Sequence, residues 1–375
     1  GRLLFGSADG NVYCLDAKSG KLAWRFQAAS ERTIVSYGQL ASTWPIHGSV
    51  LAMEDEVFFT AGTSSYLGGG ILFYRLNIKT GETITRSVIT YIDPKTEEYI
   101  GAQEAKFHSD GIVSDILSSD GKEIFLKHLS VSKDGHWKSA ETPHLFSPTS
   151  LLHEEWYVRS YWTYGETILA AGWGGWGKTG SANPSGRIMS FTEDRIYGYG
   201  RRTYTSASTG HRNNVYRLYA LSLAATARSD DASTSASEGT EEGKRAKRRE
   251  SPPKSTTSPK SYLWEQAMPC TVRAMVATPS ALLVAGVPDL GTRAGEMSTE
   301  GKAHKRLEFT NPQEALSAFE GERGGELYFV SPDDGKVIKK MGLPASPRHV
   351  GMIATDGRVF VSLKNGEVIC LAEEE

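Results

Sequence analysis

The sequence predicts an all-β fold of repeated antiparallel meanders, on three observations. A hairpin unit first seen between Leu3 and Trp24 recurs along the chain. Turn-forming residues, among them many of the 39 glycines, separate short apolar runs throughout. Aromatic side chains, including 16 Tyr, punctuate those runs as packed strands require. A twisted four-stranded sheet cannot bury both of its faces alone, so such units pack side by side in a ring. The expected architecture is therefore a β-propeller of four-stranded antiparallel blades.

The first unit defines the repeat. Leu3-Leu4-Phe5-Gly6 is apolar, Ser7 to Gly10 supplies a turn, and Asn11 to Leu15 alternates between faces. In the next turn, Asp16 to Gly20, Gly20 tolerates a positive φ while Asp16 and Ser19 can bond the nearby backbone. Lys21 to Phe26 then forms a third strand carrying Trp24. The same offsets return at Arg75, Asn77, Thr80 and Gly81 with Thr85 at the Trp place, and at Phe329, Ser331, Asp334 and Gly335 with Lys339 there. A fourth copy breaks off after Tyr219 to Ser222 and resumes at Ser261 to Trp264, so residues 225–260 are an insertion inside one hairpin.

That insertion is polar, acidic first and then basic from Lys244 to Arg249, with too little apolar surface to offset the entropy of ordering. It is expected to be disordered. Its basic cluster is read as solvated chain because an acidic half precedes it and no aromatic residue interleaves. A second insertion, residues 288–324, contains Glu314 to Phe319, which predicts one or two helical turns and a lid on the binding face. About six blades or partial blades are visible within a single propeller domain spanning residues 1–375. The first lacks its innermost strand, and the last, His349–Ile353, Arg358–Leu363 and Glu367–Leu371, lacks its outermost. The expectation is an incomplete ring, the C-terminal portion of a longer propeller of up to eight blades.

The segment from Cys14 to Trp24 resembles the Ala-x-Asp-x-x-Thr-Gly-x-x-x-Trp motif of pyrroloquinoline-quinone-type β-propeller repeats, with Cys14 at the Ala place and Ser19 at the Thr place. Asp16, Gly20, Trp24, Asn77, Gly81, Trp264 and Gly335 take the motif's structural positions. The stretches Trp156 to Gly165, Gly186 to Phe191 and Arg195 to Arg201 are similar to large exported propellers of planctomycete-type bacteria. The resemblance implies a periplasmic or otherwise exported protein, and it raises pyrroloquinoline quinone with Ca²⁺ as a cofactor to be tested.

A quinone-dependent dehydrogenase needs acidic and amide ligands for Ca²⁺, a carboxylate base and commonly a vicinal cysteine pair. Cys14, Cys270 and Cys370 are far apart in sequence, and each is expected to be a buried, unbridged small hydrophobe. Asp16, Asp55, Asp110, Asp120 and Asp356 all sit in turn contexts that explain them. No nucleophile elbow, paired-histidine zinc helix or phosphate loop is present. No catalytic residue, metal ligand or cofactor is assigned, and the enzyme reading survives only as a rival in which blades upstream of Gly1 carry the chemistry. A net charge of −2 offers nothing global to nucleic acid, and no apolar run approaches a membrane span.

Binding is the better-supported chemistry. In a propeller, loops joining second to third strands open on one face together with those leading to the next inner strand, and here that face collects residues 62–70, 165–186, 201–214 and 288–324. His47, His108, Arg187, Arg273, Arg348 and His349 stand near the starts of inner strands and would rim the central channel. Singly each can be a structural side chain; as a set they suit an anionic or polyhydroxylated ligand. Trp173 and Trp176, set among glycines, can either lie flat against a sugar ring or fill space between blades. The resulting expectation is a non-catalytic binding or scaffolding propeller that meets a protein or glycan ligand on its loop-rich face.

Overall fold

Strand alternation, loop chemistry and burial agree in a computed structural model, which describes residues 1–36, 38–46, 50–100, 111–147, 162–165, 184–201, 216–224, 262–293 and 307–372. The chain divides into two compact units, Gly1–Trp176 and Gly177–Glu375. His47, His108, Trp173, Trp176 and the 225–260 tract lie outside the described residues.

In the first unit, β1 (Arg2–Gly6), β2 (Asn11–Asp16) and β3 (Leu22–Gln27) form a three-stranded meander. A hairpin of β4 (Thr33–Ser36) and β5 (Gln39–Ser42) follows. Next come a four-stranded sheet of β6 (Leu51–Met53), β7 (Glu56–Ala61), β8 (Ile71–Asn77) and β9 (Thr83–Ile89), and a second of β10 (Ser118–Ser119), β11 (Ile124–Leu126), β12 (Leu129–Val131) and β13 (Trp137–Ser139). β14 (His144–Phe146) pairs antiparallel with β15 (Trp162–Gly165).

The second unit opens with β16 (Ser185–Gly186), followed by a four-stranded sheet of β17 (Ile188–Phe191), β18 (Arg195–Arg201), β19 (Tyr216–Ser222) and β20 (Tyr262–Gln266). In the next sheet, β21 (Cys270–Ala277) and β22 (Leu282–Pro288) are separated in sequence from its last two strands by a short hairpin, β23 (Thr292–Arg293) with β24 (Leu307–Glu308), and a helix, α1 (Pro312–Glu320). β25 (Gly325–Val330) and β26 (Val337–Leu343) complete that sheet, and β27 (Pro347–Thr355), β28 (Arg358–Leu363) and β29 (Val368–Ala372) form the last. Consecutive antiparallel meanders of three or four strands are propeller blades, and the fold is all-β as expected.

Middle blades are apolar on both faces because they are covered on both. Along β22 the period-two alternation sends Leu282 and Val284 into one core with Trp264, Met275 and Tyr328, and Leu283 and Ala285 into another with Leu327, Val361 and Leu363. In the first unit Phe58 and Phe73 face Ile124 and Leu129, whereas Phe59 and Tyr74 pack against Val12 and Ile46. Each fully buried Leu or Phe contributes about 1.5–3 kcal/mol, so the interfaces between sheets hold the structure as much as the sheets do.

The repeat offsets reappear as strand register. Cys14 faces Trp24, Arg75 faces Thr85, Ala220 faces Trp264 and Phe329 faces Lys339, and after each first partner the register shifts by a bulge. Asp16 Oδ1 accepts from Ser19 N at 2.8 Å and Ser19 Oγ at 2.7 Å, and Asn77 Oδ1 accepts from Lys79 N and Thr80 N. The indole of Trp24 donates to Ile78 O at 3.0 Å, in the following blade, and lies against Gly81.

Two local expectations are corrected. The inner strand expected just after His108 is absent at Gly111 to Val113, where Val113 makes an isolated bridge to Ser64, and the sheet begins at Ser118. Cys370 is exposed, unlike the buried Cys14 and Cys270, because alternation along β29 turns Ile369 and Leu371 toward the core and Cys370 to the other face of the sheet.

Candidate functional site

Three innermost strands of the second unit are irregular in the same way. Arg187 falls between β16 and β17, and its N–H donates to Tyr199 O at 2.8 Å although Tyr199 is the register partner of Ile188. In β21, Val272 pairs with Gly286 and Ala274 with Ala285, which leaves Arg273 as an extra residue. In β27, Pro347 pairs with Leu363 and Met352 with Val361, so residues 348–351 bulge opposite Ser362 alone. A bulged residue leaves the two-fold alternation and can be aimed away from the sheet. The bulge in β27 holds Val350 at a φ of 49°, an uncommon conformation for a β-branched residue.

These bulges bring Arg187, Arg273 and His349 to one cavity of about 920 Å³. Arg348 is exposed but does not line it, because neighbours within the bulge point apart. The other wall comes from the described residues of the 288–324 insertion, with Leu290, Phe309, Leu316 and Phe319 facing the space. Tyr199 and Tyr216, stacked at 5.4 Å, lie along the remainder with Asp289, Glu320 and Lys364.

The helical turns expected at Glu314 to Phe319 form the nine-residue α1. Asn311 caps its start, accepting from Glu314 N at 3.2 Å, with Pro312 at the first helical position. Gly321 ends it at a φ of 89°, where a Cβ would also lie 2.4 Å from Ser346 Cβ. Ala315 and Ala318 bury one side of the helix. Leu316 and Phe319 are left 55% exposed, and that exposed apolar surface is a wall of the cavity.

Two cations hold the C-terminal end of α1, where unpaired carbonyls carry partial negative charge. Arg273 Nη2 donates to Phe319 O, with the guanidinium 5.5 Å from the Phe319 ring centre, and Lys364 Nζ donates to Glu320 O at 3.0 Å. Arg273 Nε is buried and, among the described residues, bonded to nothing. No carboxylate among the described residues pairs with the guanidinium of Arg187 or Arg273. Burial first, and then Arg187, pulls the Arg273 pKa down; burial, Arg187 and Arg273 pull that of His349 down. The His349 ring is open to the cavity yet surrounded by its walls, so solvent reaches it without fully screening its neighbours.

Three of the cations expected at a channel mouth, Arg187, Arg273 and His349, line this cavity, together with Lys364 and an aromatic wall that the sequence did not point to. Lys364 arrives through a turn whose backbone bonds Ser346 O at 2.8 Å, and the wall comes from an insertion whose path no local pattern sets. The guanidinium groups of this cavity repel a hard cation such as Ca²⁺, which takes oxygen ligands. Among the described residues no three His, Cys, Asp or Glu side chains converge as metal ligands, and no helix is long and apolar enough to cross a membrane.

No family model matches the chain, and no curated protein does. Solved structures similar to it include BamB from Moraxella catarrhalis, at 8% identity and a TM-score of 0.44, covering 100% of this chain and 80% of that one. The dihydro-heme d1 dehydrogenase NirN gives 8% and 0.44, covering 100% and 61%. A quinohemoprotein alcohol dehydrogenase from Pseudomonas putida gives 12% and 0.33, covering 99% and 56%. The chain thus spans less than two thirds of each of these two dehydrogenases.

Proposed function

We propose that the protein is a non-catalytic binding module built on propeller blades, and that the cavity of its second unit is where it meets an anionic ligand. The observation that carries this reading is the convergence of Arg187, Arg273 and His349, from bulges in three inner strands, on one cavity of about 920 Å³. That size lies within the roughly 300–1,000 Å³ range of small-ligand sites. Cationic side chains with no carboxylate partner among the described residues can give their donors to a ligand, and charge-assisted bonds of that kind are about twice as strong as neutral ones.

Calorimetric titration of the whole chain with a panel of carboxylates, phosphates and sulfonates at low and moderate salt tests this. Saturable binding that weakens with salt and is lost in an Arg187→Gln, Arg273→Gln variant supports it. A folded protein that binds no anion, or whose binding ignores both arginines, overturns it.

A further inference from the structure

Resting on that reading, we infer that the ligand is a carboxylic acid with a bulky apolar body, its carboxylate held by Arg187 and Arg273 and its body laid against Leu290, Phe309, Leu316 and Phe319. Three features of the cavity select this class. The first is the kind of cation. A guanidinium presents N–H groups in a planar fork that matches the two oxygens of a carboxylate. Arg273 uses Nη2 on the Phe319 carbonyl and keeps a buried Nε–H without an acceptor among the described residues. Arg187 is exposed into the same space.

The second is the apolar wall. Leu290, Phe309, Leu316 and Phe319 are 40%, 39%, 55% and 55% exposed, and all four line this one cavity. Grouped exposure of large apolar side chains in a concavity marks a surface that a ligand covers. Inorganic phosphate or a sugar hydroxyl would leave that wall wet.

The third is the pair of carboxylates, Asp289 and Glu320, which share the lining with the cations. They limit how much negative charge the site accepts, so a polyphosphate meets repulsion that a single carboxylate avoids. Charge, planarity and apolar reach together describe an aryl or long-chain acid.

Pyrenebutyrate is a fluorescent probe of this chemistry, with pyrenemethanol as its neutral counterpart, acetate as charge without body, and pyrophosphate as dense charge. The expected result on the whole chain is saturable pyrenebutyrate binding, at least about tenfold tighter than pyrenemethanol or pyrophosphate, with acetate a weak competitor. Arg187→Gln, whose side chain has no hydrogen-bonded partner among the described residues, should weaken pyrenebutyrate at least about tenfold and leave pyrenemethanol unchanged. Leu316→Ser should weaken both. A short peptide ending in Phe, compared with its C-terminal amide, distinguishes a chain terminus from a free acid as the source of the carboxylate. Pyrophosphate binding as tightly as pyrenebutyrate, with Arg187 needed for both, would overturn the assignment while leaving the anion site intact. Absence of binding by every anion overturns both.

Discussion

The indole Nε1 of Trp264 donates to Pro332 O at 2.7 Å, and its ring fills the space that a Cβ on Gly335 would need, 2.5 Å from Cε3. Trp24 has the same relation to Ile78 O and to Gly81, where an added Cβ would lie 2.8 Å from Cδ2. The motif's Trp thus reads the motif's Gly in the following blade, and the repeat is a lock between blades as well as a turn.

Gly20 provides the control, since it has a φ of 68° but no atom within 4 Å of an added Cβ. Gly20→Ala should cost about 1–2 kcal/mol for the left-handed backbone alone. Gly81→Ala and Gly335→Ala should cost about 2–5 kcal/mol, since the ring must also move. Denaturant melts of the three variants decide this. Equal losses would mean that the indoles yield freely.

A buried ion pair joins the β11–β12 turn to the segment before β10. Lys127 Nζ lies 3.0 Å from Asp115 Oδ2, off the direction of a hydrogen bond, and both side chains are nearly covered. Lys127→Met strands the carboxylate and should cost about 3–5 kcal/mol. Pairing it with Asp115→Leu should recover much of that loss in a double-mutant cycle, and purely additive costs would count against the pairing.

His349 gives a sign to the pH dependence. Its folded-state pKa is depressed, by burial and then by Arg187 and Arg273, so the native state binds fewer protons than the unfolded chain below about pH 6.5. Its contribution to stability is therefore complete above that pH and declines as pH falls toward the depressed value. His349→Gln should flatten the acid side of a melting-temperature profile. A bound anion offsets the field of the arginines and raises the His349 pKa, so affinity should rise as pH falls through this window. Lys364, Asp289 and Glu320 also line the cavity. Proton uptake on binding, measured calorimetrically in two buffers, checks the sign.

Val350 follows His349 with a φ of 49° and is 57% exposed. Asn tolerates this conformation better than a β-branched residue does, so Val350→Asn should stabilise by about 0.5–1 kcal/mol. A lower melting temperature would show that the Val side chain contributes more than its backbone costs.

Local chemistry was legible and tertiary convergence was less so. Asp16, Gly20 and Asn77 declare their turns because the bonds they make stay within three or four residues. The offsets Cys14 to Trp24 and Phe329 to Lys339 survive as register partners. The sheet β10–β13 was hidden because strands of two or three residues are too short to alternate visibly. Arg187, Arg273 and His349 were found from their place near inner strands, but the separation of Arg348 from His349 depends on a bulge that no periodicity encodes. Phe309, Leu316 and Phe319 carry no local signal of a site, because only tertiary packing sets them beside those strands.

The three cations occupy residues that the hydrogen-bond ladder does not count. On the proposed function, changing Arg187 or His349 should alter what the cavity attracts without shifting the pairing of any strand beside it. Recognition and architecture can therefore drift independently at residues 187 and 349, whereas Arg273 also holds the end of α1, so a library confined to the first two positions should yield folded proteins with new ligand preferences. The same number of substitutions at Leu282 and Val284 should yield mostly unfolded ones.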